Sequence, residues 1–214
     1  MLIHRWDAAL DEGEWRGFVK AQGFGHLIAA GISLDYPAVV PTQFAFLDDS
    51  GRDTILMHLA RPNPIWPAIE ENPRVVMSVA GDWAFIPASW KAVGAEDPAY
   101  GIPTTYYAAV QLLGTAEVID EPEAIAGLLR SQLRTLPTDA GQVDPSEHAA
   151  KLRTIRGLRI DVADVRAKFK YGGNVDADHR LAVAARLDTR GGPGDRAAAD
   201  HVRRRLAAEA TAPA

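Results

Sequence analysis

Three stretches of the 214-residue chain carry residue types at spacings suited to holding an anion or a flat aromatic ligand. The first is Met57-His58-Leu59-Ala60-Arg61-Pro62-Asn63-Pro64-Ile65-Trp66. It reads as a strand end that runs through Arg61 into a helix start, with Asn63 as cap and Pro64 in the first turn. The N–H groups at a helix start and the guanidinium fork of Arg61 are good chemistry for a phosphate. The same residues serve equally well if Arg61 pairs with a nearby acid and Asn63 only caps. The second is Arg166-Ala167-Lys168-Phe169-Lys170-Tyr171-Gly172-Gly173-Asn174. On a strand, Arg166, Lys168 and Lys170 share one face. Three cations in a row call for an anion or for solvent, and Gly172-Gly173 lets backbone approach a ligand closely. A solvated edge strand guarded by lysines has the same pattern. The third is Ile102-Pro103-Thr104-Thr105-Tyr106-Tyr107-Ala108-Ala109-Val110-Gln111. Thr105, Tyr107, Ala109 and Gln111 share one face, which suits either the floor under a flat ring or an ordinary half-buried strand. Ala84–Trp90 adds a loop with an aromatic tip.

Other chemistries lack their residues. There is no GxGxxG after a strand, no GxxxxGK[ST], no GxSxG and no HExxH. The six histidines are dispersed, so a dedicated metal site is not expected. No cysteine is present, which removes disulfides, thiolate nucleophiles and cysteine-held metal clusters. That usage fits a cytoplasmic protein. Net charge is −5, which argues against a surface built for nucleic acid. Hydrophobic residues make up 47% and charged residues 24%, ordinary globular values that exclude a disordered or fibrous chain. No apolar run is long enough for a membrane helix.

These candidate residues need a scaffold of short strands. A helix is predicted over 7–22, capped by Asp7, with Trp15, Phe18 and Val19 at i, i+3, i+4. Strands are predicted at Phe24–Ile32, Val39–Leu47, Thr54–Ala60, Arg74–Ala80, Trp83–Ile86, Tyr106–Ile119 (bending near Gly114), Gly157–Val162 and Arg166–Lys170. Helices are predicted from Asn63-Pro64, from Asp120–Glu123 and from Asp144-Pro145. Several strands arrive before any long helix, which points to an antiparallel barrel with peripheral helices rather than a βαβ fold. The domain is expected to span 1–187, followed by an Arg/Ala-rich C-terminal helix or tail over 188–214 that frays.

Taken together, the segments resemble the PaiB-like FMN-binding negative transcriptional regulators. The resemblance runs colinearly from about residue 1 to about 187. It rests on Pro41-Thr42-Gln43, His58-Leu59-Ala60-Arg61-Pro62-Asn63-Pro64, Ala84–Trp90, Pro103-Thr104-Thr105-Tyr106 and Lys168-Phe169-Lys170. The chain departs from the family pattern at three places. It has Thr42-Gln43 for Thr-His, Pro103-Thr104-Thr105-Tyr106 for Pro-Thr-Trp-Asn, and Tyr171-Gly172-Gly173-Asn174 for Leu-Ser-Gln-Asn. The resemblance implies a mainly β protein with flanking helices (α+β), a six-stranded antiparallel FMN-binding split barrel working as a homodimer. It implies FMN as cofactor, with Arg61 and the Asn63 helix start at its phosphate and Lys168 and Lys170 adding charge. Thr42, Gln43 and Phe44 would line the ring edge, and His58, Trp90, Tyr106 and Tyr107 would shape the rest. The activity implied is a flavin-dependent oxidoreductase or a flavin-responsive regulator. Haem is the alternative cofactor, with His58 as axial ligand. Direct DNA binding is not expected: the only basic run, His201-Val202-Arg203-Arg204-Arg205, spreads its arginines around a helix. No catalytic acid or base is identified.

Overall fold

The computed structural model describes residues 1–91, 97, 101–135 and 144–211. The protein is mainly β with flanking helices. Seven strands, β1(Phe24–Ala29), β2(Ala38–Gln43), β3(Ala45–Leu47), β4(Thr54–Ala60), β5(Arg74–Ile86), β6(Thr104–Ile119) and β7(Ile155–Lys170), lie in the order β2-β1-β5-β6-β7-β4-β3. The helices are α1(Glu12–Gln22), α2(Trp66–Glu71), α3(Ala88–Lys91), α4(Pro122–Arg134), α5(Ala149–Leu152), α6(Ala177–Arg190) and α7(Asp195–Thr211). The chain divides into two compact units: 1–16, 80–110 and 167–214 form the first, and 17–79 with 111–166 the second.

The second unit carries the barrel. β1 pairs antiparallel with β2 from Phe24↔Gln43 to Ala29↔Ala38, and with β5 from His26↔Ser78 to Ala29↔Val75. β4 pairs antiparallel with β3 and with β7, the latter from Thr54↔Asp161 to Ala60↔Ile155. The two outermost strands of the order, β2 and β3, are separated in sequence by Phe44 alone. A sheet whose edges are covalent neighbours must curl back on itself, and the ladder stays open where β2 gives way to β3: a split barrel. Leu27, Ile55, Met57, Val75, Met77, Val79, Leu112, Leu158 and Ile160 fill it, alternating along their strands. Gly114 marks a close approach rather than a break. β6 continues through it, and a Cβ there would overlap the Asp161 carbonyl. α4 covers one end with Ile125 and Ala126 against Leu152.

In the first unit α6 and α7 pack together over Val183, Ala184, Leu187, Ala198, Ala199 and Val202. Asp176 caps α6 by accepting from the His179 N–H, and Gly191 ends it at φ 61°. Asp195, 1% exposed, holds the turn between them through Arg190 and the Gly192 N–H.

The structure corrects several expectations. There are seven strands, not six, because Val39–Leu47 divides at Phe44. Arg74–Ala80 and Trp83–Ile86 are one strand, kept continuous through Asp82 at φ 49°, and 157–162 and 166–170 are likewise joined. α1 begins at Glu12 rather than near Asp7, because Asp11 accepts from the Glu14 N–H and supplies the cap. Asp7 is buried instead, 3.7 Å from the Lys168 ammonium. α6 runs through 187/188, and of the helix or tail expected beyond it, residues Asp195–Thr211 form helix α7. α7 is held because Arg205 enters the first unit to meet Glu14 at 2.8 Å, both side chains at most 5% exposed.

Candidate functional site

The expected site residues fall on both units. Thr42, Gln43, Phe44, His58, Arg61 and Asn63 belong to the second, and Trp90, Tyr106, Tyr107, Lys168 and Lys170 to the first.

In the second unit, β4 ends at Ala60 and delivers Arg61 into a turn. Arg61 is half-exposed. Its Nε–H donates to the Arg153 carbonyl at 3.1 Å, one N–H donates to Asp120 at 2.9 Å, and another to the Ile155 carbonyl at 3.2 Å. A guanidinium has five N–H groups, so two remain once these three are placed. Asp120 is shared with Arg156, which also pairs with Glu70 and lies over the Trp66 ring. The Arg156 hydrogen bonds, more than those of Arg61, hold the Asp120 carboxyl below the usual range. The helix start expected at Asn63-Pro64 is delayed to Trp66, because Pro64 is followed by a tight turn. In that turn the Asn63 side chain accepts from the Ile65 N–H, and its carbonyl accepts from Trp66. His58 is exposed on β4, and its Nδ1 lies 2.7 Å from Gln132 Oε1. Gln43 and Phe44 border a cavity of about 320 Å³ with Lys20, Asp48, Asp49 and Thr135, whose acids do not suit a phosphate. Thr42 is buried beside them in β2.

In the first unit, Tyr107 lies on the half-exposed face of β6, with the ammonium groups of Lys168 and Lys170 5.8 and 6.0 Å from its ring centre. Lys168 is buried and committed, donating to the Leu2 carbonyl at 2.9 Å and facing Asp7. Lys170 donates to Thr104 Oγ1 at 2.7 Å, and no carboxylate pairs with it among the described residues. Tyr106 points to the opposite face, where it and Lys170 line a pocket of about 440 Å³ with Lys91, Thr104, Gly172 and Asn174. Trp90 stands apart from that lining and takes the Arg190 guanidinium on its face at 4.9 Å. Lys91 was missed in the sequence. One position after the Ser89-Trp90 tip, it carries no pattern of its own.

The donor set fits a flavin mononucleotide in kind. The second unit offers a half-exposed arginine fork with N–H groups to spare, and the first, taken by itself, offers the Lys170 ammonium beside a tyrosine ring with small Ala109 next along the Tyr107 face. Of the basic run in α7, Arg203 pairs with Asp188 and Arg205 with Glu14, so two of three arginines are spent internally. No described helix is long and apolar enough to cross a membrane, and no described cluster of acids and histidines could hold a metal ion.

Comparison with known proteins agrees with this architecture. The chain is 24% identical over 198 residues to "Protease synthase and sporulation protein PAI 2" of Bacillus subtilis, covering 90% of this chain and 92% of that one. The flavocytochrome Anf3 of Azotobacter vinelandii superposes with a TM-score of 0.62 at 21% identity, over 84% of this chain and 78% of that one. The FAD and haem binding protein of Mycobacterium smegmatis does so at 0.61 and 18%, over 81% and 78%. At those identities the superpositions speak to the fold. Residues 1–164 match the family described as "Putative FMN-binding domain", and on that match the chain belongs to the PaiB-like FMN-binding domain family.

Proposed function

We propose that the protein binds FMN, as a cytoplasmic homodimer, and acts as a flavin-dependent oxidoreductase. The observation that carries this is Arg61. Two carbonyls and Asp120 hold its guanidinium in one orientation while half of the side chain stays open to solvent. A fork fixed before its ligand arrives loses little entropy on binding, and its two remaining N–H groups suit a phosphate. Family membership supports the same ligand. Thr42, Gln43 and Phe44 would border the ring. Lys170 would add charge, and Trp90, Tyr106 and Tyr107 aromatic surface, from the same or the partner subunit. When bound, the flavin supplies electron transfer, and the protein positions it and tunes its potential.

The test is titration of flavin-free protein with FMN and with riboflavin, followed by quenching of flavin fluorescence. FMN is expected to bind the more tightly, and equal affinities would remove the phosphate argument. Sedimentation equilibrium should return twice 23.1 kDa. A monomer that still binds FMN would exclude a shared site.

One observation favours a second reading, haem. The Gln132 contact holds the exposed His58 ring by Nδ1, the kind of outer hydrogen bond that orients a ligating imidazole. In that case haemin gives a sharp Soret band that His58→Ala abolishes. A Soret band untouched by that change, or none at all, rejects it.

A further inference from the structure

The core face of β6 in the first unit borders a pocket of about 440 Å³. Tyr106 lines the pocket and is 1% exposed, and its buried hydroxyl has no hydrogen-bond partner among the described residues. A buried hydroxyl left unpaired is costly, and a ligand oxygen would supply the missing partner. Two ammonium groups, of Lys91 and Lys170, line the same space, and no carboxylate does among the described residues. Lys91 is drawn below the usual lysine range, first by burial and then by the charge of Lys170. The pocket thus holds positive charge in excess. Burial pushes the Tyr106 phenol up to about 12, so at neutral pH it is a hydrogen-bond donor rather than a base. Gly172, at φ 78°, packs directly against the hydroxyl, and a Cβ there would overlap it. Thr104 Oγ1 fixes the Lys170 ammonium in place at 2.7 Å.

We infer that this pocket binds the oxyanion of a small molecule, a phosphate or carboxylate group, with the Tyr106 hydroxyl donating to it and Lys91 and Lys170 balancing its charge. Its volume of about 440 Å³ admits a compact metabolite rather than an anion alone. The inference does not depend on flavin binding. If FMN itself proves to be the source, the pocket and not Arg61 receives its phosphate, and the Arg61 anchor fails.

The experiment uses the full-length protein labelled with carbon-13 in its tyrosine rings, with the Tyr106 resonance assigned from its loss in Tyr106→Phe. Inorganic phosphate and acetate are titrated separately at constant ionic strength set with chloride. One or both should move the Tyr106 resonance saturably. Lys170→Met and Lys91→Met should each weaken that binding roughly tenfold or more, since each removes a charged partner. Tyr106→Phe, followed through the Thr104 amide, should weaken it by a similar factor. FMN and riboflavin are then added to the phosphate-loaded protein. Displacement of phosphate by FMN but not riboflavin identifies the flavin phosphate as the ligand. Phosphate retained beside bound FMN identifies a separate small molecule. A Tyr106 resonance unmoved by both anions, or moved equally in Lys170→Met, overturns the inference, whatever FMN does.

Discussion

Arg61→Ala separates a phosphate anchor from a structural clasp, because the two roles predict different ratios. The structural loss can be worked from the three contacts. The ion pair to Asp120 joins side chains 45% and 46% exposed, so it contributes at most about 1 kcal/mol. Two hydrogen bonds to carbonyls add about 0.5–1.5 kcal/mol each before their exposure is discounted. Asp120 keeps both bonds from Arg156, so no charge is stranded. The sum is about 1–2 kcal/mol, a fall in Tm of roughly 2–8 °C for a chain of this length. If the two remaining N–H groups meet a phosphate, FMN affinity falls in addition by about 10- to 150-fold, and riboflavin affinity does not. Fluorescence titration of both flavins, well below the variant's Tm, reads the ratio. Asp120→Asn gives the opposite sign: removing a carboxylate beside the phosphate should tighten FMN and leave riboflavin unchanged. Equal losses for FMN and riboflavin in Arg61→Ala, with the expected fall in Tm, would refute the anchor and leave a clasp between β4 and the start of β7.

Two further outcomes test the scaffold. Arg205→Met should destabilise the protein by about 3–5 kcal/mol in chemical denaturation, because it leaves the Glu14 carboxylate buried without its cation. A loss below about 1 kcal/mol would mean that the pair contributes no more than an exposed one. Acid should destabilise the native state. Asp195 and Glu209 are held below their usual ranges, chiefly by hydrogen bonds from Arg190 and Arg180. A depressed folded-state pKa contributes stability that is present above the unfolded value and lost as pH falls through the folded value. The denaturation midpoint should therefore hold from neutral pH to about 5 and decline below about 4. Asp195→Asn should lower it at neutral pH and flatten the acid decline, and an unchanged acid slope would show that Asp195 takes no part.

The strands were legible where one face is buried and the other is not, because alternation then writes itself into the residue types. Thr54–Ala60 is identical in sequence pattern and structure, and Trp15, Phe18 and Val19 are buried as their spacing requires. Boundaries failed where a polar side chain had two uses. Asp7 and Asp11 can both cap α1; burial against Lys168 took the first and left the second. The candidate site was legible as residue types but not as partnerships. Arg61, Lys168 and Arg205 look alike in a sequence as cations awaiting anions, yet they differ in what the fold has already supplied. Lys168 is spent on Asp7 and the Leu2 carbonyl, and Arg205 on Glu14, while Arg61 keeps two N–H groups and Lys170 has only a hydroxyl. Binding capacity is the remainder after internal partners are subtracted, and that remainder depends on contacts between residues as far apart as Glu14 and Arg205. The Tyr171-Gly172-Gly173 departure shows the same dependence. In sequence it is only a change from the family's Leu-Ser-Gln. In the fold, a Cβ at Gly172 would overlap the Tyr106 hydroxyl, so a substitution that alters no charge can change the surroundings of a buried polar group.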